Sequence, residues 1–330
     1  MATVAVTGAT GEVGRPFVAA LEREPAVERI VALGRRAFDP AEEGWSKVEY
    51  RRGDVLDLGA VEELVAGADV VVHLAFVIVT DAGRSREVNL AGSRNVFAAA
   101  VAAGARRLVY TSSVAAYGFH ADAPELLSEK VPPRGTERHP YSAQKAEVEE
   151  LLGEVLAGSD TGAYVFRPCI VAGPQAPALL DSIPLSALSR RLPGPLQGLL
   201  RRVPGVSPIL PDPGVPFQLV HHDDVAAALV TAVAGEAPAA VYNLAAPGRI
   251  TISDLAHALG WHAVPVPAAA VEATAAVVAR ASFLPPEAAW IEALRRPVLM
   301  DASRARRDLG WQSRFDAEET LRQTVAAWRA

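Results

Sequence analysis

Val4-Ala5-Val6-Thr7-Gly8-Ala9-Thr10-Gly11-Glu12-Val13-Gly14 carries an apolar run into a glycine-rich turn near the start of this chain. Its apolar run reads as a strand covered on both faces. The strand passes directly into three glycines at three-residue spacing. Gly8 permits a tight turn, Gly11 lets a pyrophosphate approach the backbone, and Gly14 lets the next helix pack close to the strand. That helix is expected to start near Glu12, with free N–H groups and a positive dipole end that suit an anion. Glycine-rich turns are common. At the first strand–helix junction, however, Gly8, Thr10, Gly11, Glu12, Val13 and Gly14 read as a dinucleotide loop.

Outward from the loop, apolar runs at residues 29–34, 69–74, 107–111 and 163–166 alternate with helical patterns such as Asn89 to Ala103 and Tyr141 to Leu156. Short β-rich runs separated by helices imply an α/β fold, a doubly wound parallel sheet with helices on both faces. Its ligands should bind beyond the carboxyl ends of the strands. From about Pro174 to Pro216 the chain is rich in proline and leucine, with Arg190, Arg191, Arg201 and Arg202 interspersed and no clean strand pattern. This stretch reads as a cap. A strand-and-helix unit returns over Phe217 to Val233, a strand follows at Ala240–Leu244, and residues 247–330 read as mostly helical. The expected division is a dinucleotide-binding Rossmann domain at 1–173 and 217–246, with a smaller, mostly helical substrate domain at 174–216 and 247–330.

The 330 residues carry a net charge of −6, with lysine and arginine scattered, so nucleic acid is not an expected partner. The single Cys169 allows no internal disulfide and fits a reducing compartment. Residues 3–7 read as a strand rather than a signal peptide, and a cytoplasmic location is expected. The stretch Val264 to Leu284 contains Glu272 and Arg280, and reads as a packed amphipathic helix rather than a membrane span.

The second strand ends in Leu33-Gly34-Arg35-Arg36. An acid at that point would accept the ribose hydroxyls of NAD, whereas a 2′-phosphate wants a guanidinium. Arg35 and Arg36 therefore make NADP(H) the expected cofactor, with NAD(H) as the alternative. Asp54-Val55 follows the third apolar run, where Asp54 could accept from the adenine amino group. His73-Leu74-Ala75-Phe76 closes the fourth strand. Leu74, Ala75 and Phe76 are placed to pass the ribose and pyrophosphate, and His73 reads as a packing residue.

The strand at 107–111 ends in Thr111-Ser112-Ser113, and a helix opens at Pro140-Tyr141-Ser142-Ala143-Gln144-Lys145. Tyr141 and Lys145 are four apart and share a helical face. A free tyrosine, with pKa about 10, is a poor acid–base group near neutrality. A nearby ammonium is expected to lower that value, so that the phenol can pass a proton to or from a substrate oxygen held by a serine hydroxyl.

Together these residues resemble the extended short-chain dehydrogenases/reductases, of the NAD-dependent epimerase/dehydratase type. The resemblance runs over nearly the whole chain. It includes Thr7–Gly14, Asp54-Val55, His73–Ala75, Val88-Asn89, Thr111–Ser113 with Tyr117-Gly118, Tyr141 with Lys145, Arg167-Pro168 with Gly173-Pro174, Val220–Asp224, and Leu309-Gly310-Trp311. It implies that Ser113 polarises the substrate oxygen, that Tyr141 is the acid–base, and that Lys145 also binds the nicotinamide ribose. Asn89 would support the active-site water and helix. Thr111 joins the cofactor contacts, and Pro168 and Ile170 lie where the family's backbone meets the nicotinamide carboxamide. A homodimer through two helices per subunit, including the one carrying Tyr141, is also implied.

The departures narrow the reaction. Val114-Ala115 follow Ser113 where 4,6-dehydratases carry an Asp-Glu pair. Pro216-Phe217-Gln218-Leu219 lacks the arginine that holds the diphosphate in sugar-nucleotide epimerases. Leu179, Leu180, Ile183, Leu185, Leu188, Leu192, Leu196, Leu199 and Leu200 offer apolar surface, read either as packing or as a pocket for a small apolar substrate. The expected function is an NAD(P)-dependent oxidoreductase acting on a secondary alcohol or ketone. The alternative is a nucleotide-sugar 4-epimerase with tightly bound NAD. A dinucleotide-sensing regulator is a third reading, against which the tyrosine–lysine pair argues. His221-His222-Asp223-Asp224 has metal-ligand residue types. Strand alternation would turn neighbours to opposite faces, so no metal site is expected and Asp223 or Asp224 should cap a helix. Cys169 is expected to be a buried small residue, and Arg167 to pair with a carboxylate.

Overall fold

Val4, Ala5 and Val6 are all fully buried, as a strand covered on both faces requires. The computed structural model describes residues 1–78, 82–181, 183, 208–267, 269–271, 273–274 and 295–330. Its first half runs β1 (Ala2–Thr7), α1 (Gly14–Leu21), β2 (Val27–Gly34), β3 (Val48–Arg52), α2 (Leu58–Val65), β4 (Val70–His73), α3 (Ala82–Glu87), a π-helical turn (Val88–Gly92) and α4 (Ser93–Ala102). Next come β5 (Arg107–Thr111), a 3-10 turn (Val114–Tyr117), β6 (Leu126–Leu127), α5 (Pro140–Leu156), β7 (Gly162–Pro168), β8 (Ile170–Ala172) and α6 (Ala178–Asp181). The later described elements are β9 (Ile209–Asp212), β10 (Leu219–His221), α7 (His222–Ala234), β11 (Val241–Leu244), α8 (Ile252–Leu259), β12 (His262–Pro265), β13 (Leu299–Met300), α9 (Ser303–Leu309) and α10 (Ala317–Arg329).

Seven strands form one parallel sheet in the order β11-β7-β5-β4-β1-β2-β3. The expected doubly wound α/β architecture is therefore present. The strand order reverses between β1 and β4, which opens a crevice at their carboxyl ends. Helices α1 and α7 cover one face, where Phe17, Val18 and Leu21 share a core with Val225 and Leu229. Helices α2, α4 and α5 cover the other through Val61, Leu64, Val96, Phe97, Val148 and Leu151. A third cluster joins Leu219, Leu255, Leu259, Leu321 and Val325 beyond the sheet.

Three elements differ from expectation. The third apolar run is an edge strand whose Val48 and Tyr50 are only half-buried and whose Arg52 is exposed. The cap region contains β9, Ile-Leu-Pro-Asp, parallel to β12. Its proline disguised it, yet proline is tolerated on a peripheral strand. Val264 and Pro265 end β12 rather than starting a helix, and residues 275–294 lie outside the described set. So do the cap's Leu185, Leu188, Leu192, Leu196, Leu199 and Leu200 and its four arginines, whereas Leu180 is buried in α6. Among the described residues, no helix is long and apolar enough to cross a membrane.

Candidate active site

The loop after β1 explains its glycines one by one. Gly8 has φ +74°, and a Cβ there would lie 2.6 Å from the Ala75 nitrogen. A Cβ on Gly14 would lie 2.1 Å from the Gly8 oxygen, so only glycine lets α1 sit against the loop. A Cβ on Gly11 would meet only the Gly8 oxygen, at 3.3 Å. Packing thus demands glycine at 8 and 14, while the bareness at 11 faces outward. Helix α1 starts at Gly14, with Val13 at its cap, two residues later than the spacing implied. Thr10 is exposed. Glu12 reaches away, accepting from the Ala178 nitrogen at 3.1 Å, and burial raises its carboxyl pKa.

The loop after β4 closes against this turn. Leu74 N donates to the Thr7 carbonyl at 3.1 Å, and Ala75 N to the Thr7 hydroxyl at 3.4 Å. His73 sits beneath, bonded through Nδ1 to Thr7 Oγ1 (2.7 Å) and through Nε2 to Ser93 Oγ (2.9 Å). Burial pushes its pKa down to about 3, and it is a neutral packing residue as expected. Arg35 and Arg36 are exposed beyond β2. Their carbonyls accept from Arg52 Nε (3.2 Å) and the Tyr50 hydroxyl (2.7 Å), which fixes the backbone. Among the described residues no carboxylate pairs with either guanidinium. Asp54 Oδ1 accepts from Leu56 N at 3.1 Å and so closes its own turn. Val55 packs under Gly92, where a Cβ would come within 2.5 Å of its methyl.

Across the crevice, α5 brings Tyr141 and Lys145 to the end of β5. His139 caps this helix, its Nδ1 accepting from Ser142 N at 3.2 Å. Ser142 Oγ donates to the Ala115 carbonyl at 2.6 Å, tying the helix start to the turn that follows Ser113. Ser113 is buried, accepts from Ala115 N at 3.2 Å, and hydrogen-bonds Tyr141. Lys145 Nζ donates to the Thr111 carbonyl at 2.8 Å and contacts the Tyr110 hydroxyl at 3.4 Å.

The charges differ from expectation. Burial raises the Tyr141 pKa above its ordinary value, and the Ser113 bond only partly opposes this. Burial also pushes Lys145 down to about 7. The lysine was expected to lower the phenol. Its Nζ is 5.9 Å from the Tyr141 ring centre and bonds elsewhere, so desolvation wins for both groups.

Asn89 lies in the π-helical turn, an irregularity frequent at functional sites. Its Oδ1 accepts from Val77 N (2.8 Å), and its Nδ2 donates to Val77 O (2.9 Å) and Gln144 Oε1 (2.7 Å). It therefore clamps the β4 loop to α5. Pro168 ends β7, and Ile170 begins β8, half-buried. Arg167 pairs with Glu149, both nearly fully buried, with Nε to Oε1 at 2.9 Å. Ser112 Oγ donates to the same carboxylate at 2.5 Å. Cys169 is buried, and burial raises its thiol pKa.

Sequence reasoning did not single out Tyr110, Gln144 or Glu149. Glu149 continues the four-residue spacing from Tyr141 through Lys145, a signal that was available. Tyr110 was hidden inside an apolar strand. The position lacking an arginine is also accounted for. Gln218 accepts from Met300 N at 2.7 Å and donates to Met300 O at 3.3 Å, serving β13.

The histidine pair differs from expectation. The strand ends at His221 and α7 begins at His222, so alternation does not apply. Ligand atoms of His221, His222 and Asp223 lie within 4.8 Å of one another. His221, rather than an aspartate, caps the helix by accepting from Asp223 N at 3.2 Å. Arg314 already brings a cation to Asp223, at 3.4 Å. Asp224 instead accepts from Arg314 N at 3.0 Å.

The profile of the NAD dependent epimerase/dehydratase family matches residues 4–245. An uncharacterized protein of Mycobacterium tuberculosis is 29% identical over 328 residues, which cover 99% of this chain and 30% of that protein. The chain thus spans 30% of that relative's length. Human 3 beta-hydroxysteroid dehydrogenase type 7 is 35% identical over 159 residues, covering 45% of this chain and 43% of that protein. Among solved structures, MoeE5 in complex with UDP-glucuronic acid and NAD superposes with a TM-score of 0.73 at 22% identity, covering 100% of this chain and 99% of that one. At that identity the likeness speaks for the fold.

Proposed function

The chain belongs to the NAD dependent epimerase/dehydratase family, and on that premise we propose an oxidoreductase that moves hydride between a nicotinamide and the secondary alcohol or ketone carbon of an apolar small molecule. The observation that carries this reading is the meeting of Ser113, Tyr141 and Lys145 at the end of β5, across the crevice from the glycine loop. The loop fits a dinucleotide, because the bare backbone at Gly11 leaves room for a diphosphate. Gly8 to Gly14, Leu74, Ala75, Phe76, Asp54 and Val55 would hold it, with Pro168 and Ile170 at the nicotinamide end. Arg35 and Arg36 favour NADP(H), since a 2′-phosphate suits a guanidinium that has no carboxylate partner among the described residues.

Bound there, the nicotinamide supplies or accepts the hydride. In the reductive direction Ser113 holds the carbonyl oxygen and Tyr141 gives it a proton. Lys145 in its ammonium form stabilises the phenolate left behind. Asn89 keeps the loop and helix in register. The partial similarity to a hydroxysteroid dehydrogenase supports an apolar substrate. The same reading divides the chain into a dinucleotide-binding body at 1–173 and 217–246 and a substrate-binding part at 174–216 and 247–330. It makes the protein a cytoplasmic homodimer through two helices per subunit, one of them α5.

Calorimetry with NADP(H) and NAD(H), on protein whose as-purified cofactor has been identified by mass spectrometry, tests the reading. Exchangeable and tighter NADP(H) is expected. Stoichiometric, non-exchanging NAD would favour a nucleotide-sugar 4-epimerase using the same residues. Tyr141→Phe should lose about 10²- to 10⁴-fold in turnover while still binding cofactor. Retained turnover would refute the mechanism.

A further inference from the structure

Lys145 is buried without a carboxylate partner among the described residues, and its third contact is an aromatic face. Its Nζ lies 3.7 Å from the ring centre of Phe76. The ring centres of Tyr110 and Tyr141 are farther away, at 5.0 and 5.9 Å. Phe76 also stands edge-on to Tyr141, with ring centres 5.5 Å apart and planes at 89°. The loop cannot easily swing this ring away. Ala75 N is bonded to Thr7, and both backbone groups of Val77 are bonded to Asn89.

We propose that Phe76 is a positioning residue, its ring face seating the Lys145 ammonium and its edge holding the Tyr141 ring. The inference rests on the reading of Tyr141 and Lys145 as the acid–base pair. An ammonium has three donors. Here Thr111 and Tyr110 take two, and the negative face of the Phe76 quadrupole attracts the third. Among the described residues, no carboxylate on the elements packed around the amine touches it directly. His73 of β4 is neutral through burial, and Tyr110 of β5 is a phenol pushed further from ionisation. On α5 itself, Tyr141 is likewise raised, and Glu149, though engaged by Ser112 and by Arg167 of β7, attracts the ammonium through space and partly opposes the effect of burial. A leucine of similar bulk would fill the space without attracting the cation.

The test is a pH titration of the Lys145 side chain in the full chain, read by NMR of ¹³Cε-labelled lysine and assigned with Lys145→Met. Phe76 is replaced by phenylalanines carrying one, two, three and five fluorines, which keep ring size while draining the face. The parent midpoint near 7 should fall stepwise, by about half a unit to one unit at the end of the series. Phe76→Leu should match the pentafluoro variant, and Phe76→Tyr should match the parent. A flat or rising midpoint across the series overturns the proposal. The two readings fail separately. A flat series with inactive Tyr141→Phe removes the seat alone, whereas a falling series with active Tyr141→Phe removes the catalytic reading.

Discussion

Burial sets the direction of the shift at both Tyr141 and Lys145. Lys145 is pushed down to about 7. Its unfolded value is about 10.5, so the unfolded chain binds more protons between these two pH values. Unfolding free energy therefore rises with pH across that window, and the burial penalty is greatest below it. Between pH 7 and 9.5 this group should add about 2–3 kcal/mol of stability. Urea unfolding of Lys145→Met, which has no amine, should lack that increment, and equal pH slopes would contradict a buried amine. Arg35 offers a second residue-scale prediction. Arg35→Ser should weaken NADP(H) binding about tenfold and leave NAD(H) within about threefold, as read by calorimetry. The tyrosine–lysine spacing was legible because a helix places i and i+4 on one face. The direction of the phenol's shift was not, since desolvation depends on what covers the ring.

Two glycines separate packing from binding at the level of the first strand–helix element. Gly14→Val would drive a side chain into the Gly8 carbonyl, 2.1 Å from its Cβ. It should cost about 3 kcal/mol in a urea melt. Gly11→Val meets only one oxygen at 3.3 Å. It should stay within about 1 kcal/mol of the parent, while NADP(H) binding falls more than tenfold. Comparable stability in the two variants would mean that α1 is not seated as described. Elements buried on both faces, such as β1 and β4, were legible as continuous apolar runs. β3 and β9 were less so, because strands at the periphery tolerate charge and proline. The His221–Asp223 cluster departs from expectation for a related reason. A two-residue periodicity fails where a strand hands over to a helix.

At the scale of the whole molecule, the buried Arg167–Glu149 pair joins β7 to the helix that carries Tyr141 and Lys145. Removing one partner leaves the other charge buried alone. Glu149→Gln or Arg167→Met should each cost about 3–5 kcal/mol, and the double variant should recover most of the loss. Additive losses in denaturant melts would show that the two side chains do not act as a pair. The sheet, the glycine loop and the order of the candidate site residues were legible along the chain, because periodicity, spacing and turn chemistry are properties of neighbouring residues. That Asn89 clamps Val77 to Gln144, that Phe76 faces Lys145 and that burial shifts both Tyr141 and Lys145 follows from the folded chain alone. Those facts depend on strands and helices far apart in the chain meeting at one crevice, and on the water they exclude there.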